Sequence, residues 1–361
     1  MKQFSLILSL SFCVNTFATV RTVSNNPSTL AQYNTIQAAI TASASGDTIY
    51  VHGSPTRYAG FTITDKRLTI IGPGFAPAQN FMAFKAVIET AVVITGVNSK
   101  KTEIQGLDFA LSFGVGIVGG GTNIPDSLRI IRNQFEAAFY FNVSTTFNGY
   151  VFQDNWFDDA FISAPAQTVI TNFVFQNNLF YCTTTNGNVT GFLTTANVLF
   201  DHNLWYCPAG TIIAPCFGGG SKSMLFTNNI FVHRNAATNN TLSVFTKNIT
   251  FGAGVNNPWD SAYQNSGSGN IVNQDPQMVS QTQVNGGTND PLLDFTIAAG
   301  PANNAGTDGK DLGLLFDAAG ILNWTNSRMS RLPFIYSMNI SNSTVPAGST
   351  LSVQVEARRN N

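Results

Sequence analysis

The sequence predicts an all-β solenoid, a parallel β-helix of roughly ten coils closed at its N-terminal end by a short helix. Three observations carry that expectation. Of 361 residues only 10% are charged while 39 are Asn and 31 are Gly, a composition poor for helix interiors and good for turns. Five segments align as apolar-x-x-Asn-x-aromatic: Ile130–Phe135, Phe152–Phe157, Phe175–Phe180, Phe200–Trp205 and Phe226–Phe231. Their asparagines, Asn133, Asn155, Asn178, Asn203 and Asn229, lie 22, 23, 25 and 26 positions apart. The runs around them are short, β-branched and aromatic, which separates them from leucine-rich repeats of the same length.

Each element follows from local chemistry. Residues 1–18 read as an export leader, with Lys2 at its start, an apolar run from Phe4 to Val14 and a cleavage site at Thr16-Phe17-Ala18. Residues 19–326 are the β-helix domain. Between Ser28 and Ala44 apolar residues fall at Leu30, Tyr33, Ile36, Ala39 and Ile40, a helical spacing with Ser28 as N-cap and Gly46 as stop. Short strands follow at Thr48–Val51, Phe61–Ile63, Leu68–Gly72, Ala86–Ile88 and Val92–Ile94, then the five repeats. Residues 327–361 are a strand pair, Phe334–Ile340 and Leu351–Val355 around Pro346-Ala347-Gly348, a β-hairpin or two edge strands expected to pack on the rod or its C-terminal end.

Within the repeat, the apolar residue three before Asn and the aromatic two after it both point inward. Asn sits at the bend between them, where it tolerates left-handed dihedrals, and its side chain meets the Asn one coil away. The structural ladder is therefore Asn133, Asn155, Asn178, Asn203 and Asn229.

The chain resembles secreted right-handed parallel β-helix proteins of the pectin-lyase-like superfamily. The likeness rests on Tyr33–Ile40 with Gly46–Val51 as an opening, and on Gly269–Met278, Asp294–Ile297 and Asn304–Gly313 as an ending. It spans about residues 20 to 320 and speaks to fold more than to activity. Relatives of this kind include polysaccharide lyases and glycoside hydrolases acting on acidic glycans. Their signature sets are missing here apart from Asp158-Asp159.

With 18 basic and 19 acidic residues, the chain lacks the electrostatic footprint of a nucleic-acid binder, and no segment is long and apolar enough to span a membrane. Only three histidines and no CxxC pair are present, which disfavours a zinc site. Cys182, Cys207 and Cys216 allow one disulfide, Cys182–Cys207 or Cys207–Cys216. Stacking the repeats gathers Arg132, Asp154, Asp158, Asp159, Asp201 and His202 on a few coils as a candidate ligand-binding face, with Ca²⁺ a candidate on Asp154, Asp158 and Asp159. Tyr181 and Tyr206 fall side by side facing outward, and Tyr140, Tyr150, Trp259 and Trp324 are further candidates to stack on sugars. The expectation is a monomeric, secreted or cell-surface, non-catalytic protein whose polar face binds extracellular polysaccharide or a cell surface. The alternatives are a lyase or hydrolase on an acidic glycan, and a purely structural or adhesion rod.

Overall fold

Phe152, Phe175, Phe200, Phe226 and Phe245 stand over one another, with ring centroids 4.7, 4.4, 5.1 and 4.5 Å apart and planes within 15° of parallel. A second column runs through Phe109, Phe135, Phe157, Phe180 and Trp205 at 5.0, 5.1, 4.7 and 3.8 Å. Such stacking requires the chain to return to the same place once per coil. The structure, a computed structural model, describes residues 18–80, 82–117, 121–183, 187–210, 215–316, 322–328, 334–340 and 348–358. The expected leader, save Ala18, lies outside them.

About nine turns form the solenoid, where the repeat count suggested ten. Its walls are parallel sheets of eleven, eight and seven strands. The eleven-stranded sheet runs from Val20–Val23 to Ser266–Ser268, about 48 Å at the interstrand spacing. The eight-stranded sheet carries Val87–Ile88 through Ile249–Phe251, and the seven-stranded sheet Thr62–Thr64 through Phe217–Gly218. Inward side chains of all three merge into one apolar interior. Burial of each Phe contributes roughly 1.5–3 kcal/mol, so these columns dominate stability.

The asparagine ladder forms, and it is longer than the repeat suggested. Asn178 is typical: its Oδ1 accepts from Asn155 N–H and Nδ2 at 2.9 Å each, and its Nδ2 donates to Phe152 O and Asn203 Oδ1 at 2.9 and 3.0 Å. The series continues past Asn229 to Asn248 and Asn270. At these two the aromatic partner is replaced by Thr250 and Val272, which hid them from the pattern. One detail of the expectation is corrected. The left-handed residue is the one before the ladder Asn: Arg132, Asp154, Asn177, His202, Asn228 and Lys247 all have φ between 51° and 59°. The ladder amide itself is thereby aimed along the rod axis.

The capping helix is shorter than expected, Ile36–Ala42, with Thr35 as N-cap accepting from Ala38 N–H at 3.2 Å. Ile36, Ala39 and Ile40 are buried against the first coil, so the helix closes the mouth as anticipated. Ser28 and Leu30 lie outside it, and Leu30 is 99% exposed. Residues 24–32 loop round instead, so that Tyr33 bridges Val23 in parallel, Ser24 N–H donating to Tyr33 O and Tyr33 N–H to Thr22 O.

The largest departure is a strap. Beyond Met278 the chain folds back over the outer face of the eight-stranded sheet. Met278, Val284, Phe295, Ile297, Leu312 and Trp324 bury against Trp156, Leu179, Tyr181, Leu204, Tyr206 and Ile230, a second core outside the solenoid. Phe334–Ile340 and Val353–Arg358 pair antiparallel as expected. The expected packing on the rod is corrected: Val353–Arg358 is exposed along its whole length.

Candidate functional site

The strap decides where the sequence-singled residues lie. Arg132, Asp154 and His202 are each at most 4% exposed, because the left-handed column turns its side chains beneath the strap or against neighbouring coils. Asp154 accepts from Asn177 Nδ2 at 2.6 Å and from Gln153 Nε2 at 3.0 Å. Arg132 reaches Gln105 Oε1 at 3.4 Å. His202 Nδ1 lies 3.0 Å from Asp201 Oδ1, and its Nε2 lies 3.7 Å from Asp308 Oδ1 on the strap. Those contacts, with burial working against them, leave the Asp201 carboxyl below its ordinary value. Beside it, Asn228 Oδ1 accepts Thr307 N–H at 2.8 Å and Asn177 Oδ1 accepts Leu315 N–H at 2.7 Å. In this structure the polar column therefore holds the chain's own residues 307–315.

Tyr181 and Tyr206 do point away from the solenoid, yet they are 4% and 0% exposed. Their hydroxyls donate to Gly287 O and Thr288 O on the strap at 3.0 and 2.9 Å. Burial, helped by Asp159 and Asp158, pushes the Tyr181 hydroxyl up to about 12. Tyr150 and Trp324 are fully buried and Trp259 is half-buried. Of the aromatic candidates, Tyr140 is the one at the surface, 37% exposed.

The carboxylates named for Ca²⁺ go to separate partners. Asp158 accepts from Asn289 Nδ2 at 2.6 Å and Gln134 Nε2 at 3.3 Å, and Asp159 accepts from Thr183 N–H and Oγ1. Among the described residues no group of three His, Cys, Asp or Glu side chains is placed to hold a metal ion. Asp108, which the repeat did not single out, carries a strongly perturbed carboxyl: burial pushes it up to about 6, opposed by Lys85 Nζ at 3.2 Å. At 2% exposure it is shut away from any substrate. Cys182, Cys207 and Cys216 are buried and stand as thiols rather than as the expected disulfide.

One open surface is the outer face of the seven-stranded sheet. Strand register stacks Thr62, Val93, Gly114, Tyr140, Ser163, Thr190 and Gly218 in one straight column. Six steps at the interstrand spacing make it about 29 Å long. None of the strand residues of this sheet is charged. Two hollows lie along it. One, about 440 Å³, is lined by Val93, Ser112, Gly114, Tyr140 and Asn142; the other, about 410 Å³, by Phe161, Thr190, Pro215, Gly218 and Asn239. Between them Tyr140 and Phe161 meet edge-on at 5.7 Å and 89°.

The floor depends on absent side chains. A Cβ on Gly114 would lie 2.3 Å from Asn142 Nδ2, whose present position lets it donate to Gly116 O at 2.9 Å. A Cβ on Gly218 would lie 2.8 Å from Thr190 Oγ1. A straight trough of hydroxyls, small residues and one aromatic pair suits a ligand with apolar faces and many hydroxyls. The repeat gave no warning of it, because its signal is smallness at one register position, spread over loops of unequal length. No protein-family model matches the chain, and no curated protein matches it either.

Proposed function

We propose that the protein acts outside the cytoplasm and binds an uncharged, hydroxyl-rich polysaccharide lengthwise along the seven-stranded sheet, without cleaving it. The observation that carries this reading is the uncharged column from Thr62 to Gly218 with Tyr140 and Phe161 at its middle. A pyranose offers its C–H face to such rings and its hydroxyls to Ser163, Thr190, Asn142 and Asn239. The absence of cations from the trough favours neutral polymers over the acidic glycans handled by the superfamily this chain resembles, a kinship we hold as part of the proposal. Neither hollow is lined by a carboxylate, imidazole or amine, the groups that proton transfer to a glycosidic oxygen needs at neutral pH. That is why binding is preferred to catalysis.

Affinity electrophoresis through gels containing soluble β-glucan, xylan or mannan tests it. The expected result is retardation by at least one polymer, lost in Tyr140→Ala and in Gly218→Val. Migration unaffected by every neutral polymer, or equal retardation of Tyr140→Ala and the parent, refutes the reading.

A further inference from the structure

One corner of the rod concentrates positive charge that no ion pair among the described residues neutralises. Arg67 precedes the strand Thr69–Ile71, and Lys100 and Lys101 precede Glu103–Gln105, the strand paired to it on the next coil. With Ser45, Asp65 and Asn98 they line a cavity of about 560 Å³. All three cations are exposed, and among the described residues none of them forms an ion pair.

Two nearby carboxylates are paired with other cations, and one, Asp65, lies in the cavity wall, so that Arg67, Lys100 and Lys101 against Asp65 leave a net charge of +2 there. Asp47 binds Arg21 at 3.3 Å and Glu103 binds Arg129 at 2.9 Å. Asp65, within the cavity, accepts Asn98 N–H and Nδ2 at 2.9 and 2.8 Å. Asp126, one coil on, is exposed, and among the described residues no ion pair joins it to the three. A fourth cation, Lys66, is turned away to cap the helix, its Nζ donating to Ile40 O at 2.9 Å.

The backbone under the cations is fixed. Arg67 N–H donates to Ser45 Oγ at 3.2 Å and Arg67 O accepts Gly46 N–H at 2.7 Å. Lys101, left-handed at φ 62°, donates its N–H to Asp126 O at 3.0 Å. Three cations from two coils about 4.8 Å apart thus surround one hollow with a single carboxylate, Asp65, and the excess positive charge is relieved by a multivalent anion.

We propose that this corner is a binding site for a tetrahedral oxyanion, a sulfate or phosphate ester carried on a polymer. Arg67 supplies a planar fork for two oxygens, Lys100 and Lys101 supply point charges, and Ser45 Oγ and the amide of Asn98 are further polar groups in the cavity wall. It differs in chemistry from the neutral trough and does not depend on it.

The test uses the full chain and two probes, a sulfated decasaccharide and poly(glycerol phosphate), each titrated beside an uncharged control oligosaccharide. The pocket triple Arg67→Gln/Lys100→Gln/Lys101→Gln is compared with a control triple of equal charge change, Arg57→Gln/Lys222→Gln/Lys247→Gln, all exposed positions. The expected result is at least tenfold weaker binding of one probe by the pocket triple, under twofold by the control, and steep loss with added salt. Which probe binds identifies the ester. Failure of both probes to bind the parent above the uncharged control, or equal weakening by the two triples, overturns the proposal. Tyr140→Ala is expected to leave this binding unchanged, so failure of the trough reading is separately visible.

Discussion

Truncating the middle of the asparagine ladder separates a buried hydrogen-bond chain from a decorative one. Asn178→Ala deletes four hydrogen bonds and leaves Asn155 N–H and Phe152 O without their side-chain partner, at a position 0% exposed. Each orphaned buried group costs about 1–3 kcal/mol, so the loss is about 2–6 kcal/mol. Asn270→Ala removes a comparable set, three bonds to Asn248 and Phe245, but at the half-exposed end of the ladder. Water replaces the lost partners there, and the cost is expected to stay near 1 kcal/mol. Asn178→Asp is the sharper probe. It puts a carboxylate oxygen where Nδ2 now donates to two oxygens, so at pH 7 it should destabilise more than Ala and recover in acid as the carboxyl is protonated. Urea unfolding followed by circular dichroism reads all three. Equal midpoints for Asn178→Ala and Asn270→Ala would refute the argument that enclosure of the amide chain, rather than amide content, stabilises the coils.

Asp108 makes stability pH-dependent in a direction opposite to most carboxylates. Its value is raised from 3.8 to about 6 by burial, so its favourable contribution is complete below pH 3.8 and is lost as pH rises through about 6. The shift corresponds to on the order of 3 kcal/mol. Asp108→Asn should abolish that slope, and parallel stability–pH curves for variant and parent would contradict it. Trp324→Ala empties the joint between strap and solenoid, where Trp324 meets Phe75 at 5.7 Å and donates to Pro291 O at 3.2 Å. A loss of about 3–5 kcal/mol is expected, read as early proteolysis between residues 281 and 316 with the coils still intact. Cys216, its thiol pushed up to about 12 by burial, should resist iodoacetamide at pH 8 in the native protein and react once it is unfolded, as counted by mass spectrometry.

The stacking of coils was legible because one side-chain chemistry recurs once per coil: an amide needs an amide above it, and Phe152 needs Phe175. Asn248 and Asn270 escaped because their aromatic neighbours are replaced, although the amides do the same job. The strap was not read, yet its trace was present. Leu179, Leu204 and Ile230 follow their ladder asparagines directly and point outward, and an outward aliphatic column on a sheet requires a cover. Without that cover in view, Tyr181 and Tyr206 looked like free rings and Arg132, Asp154 and His202 like a solvated face. The trough was illegible for a different reason. Gly114, Ser163 and Gly218 have no pattern until strand register places them in line.

The strap also changes how the rod should come apart. A stack of coils bound only to their neighbours sheds turns from its ends, each at little expense. Here the segment leaving the last coils runs back along the molecule until Arg328 O accepts Ala76 N–H at 2.9 Å and Trp324 rests on Phe75, beside the early coils. Early and late turns are tied by one girder. Peeling from the C-terminal side must loosen a brace that also grips the opposite end, so intermediate lengths of rod lose their advantage and the array should melt as a single unit.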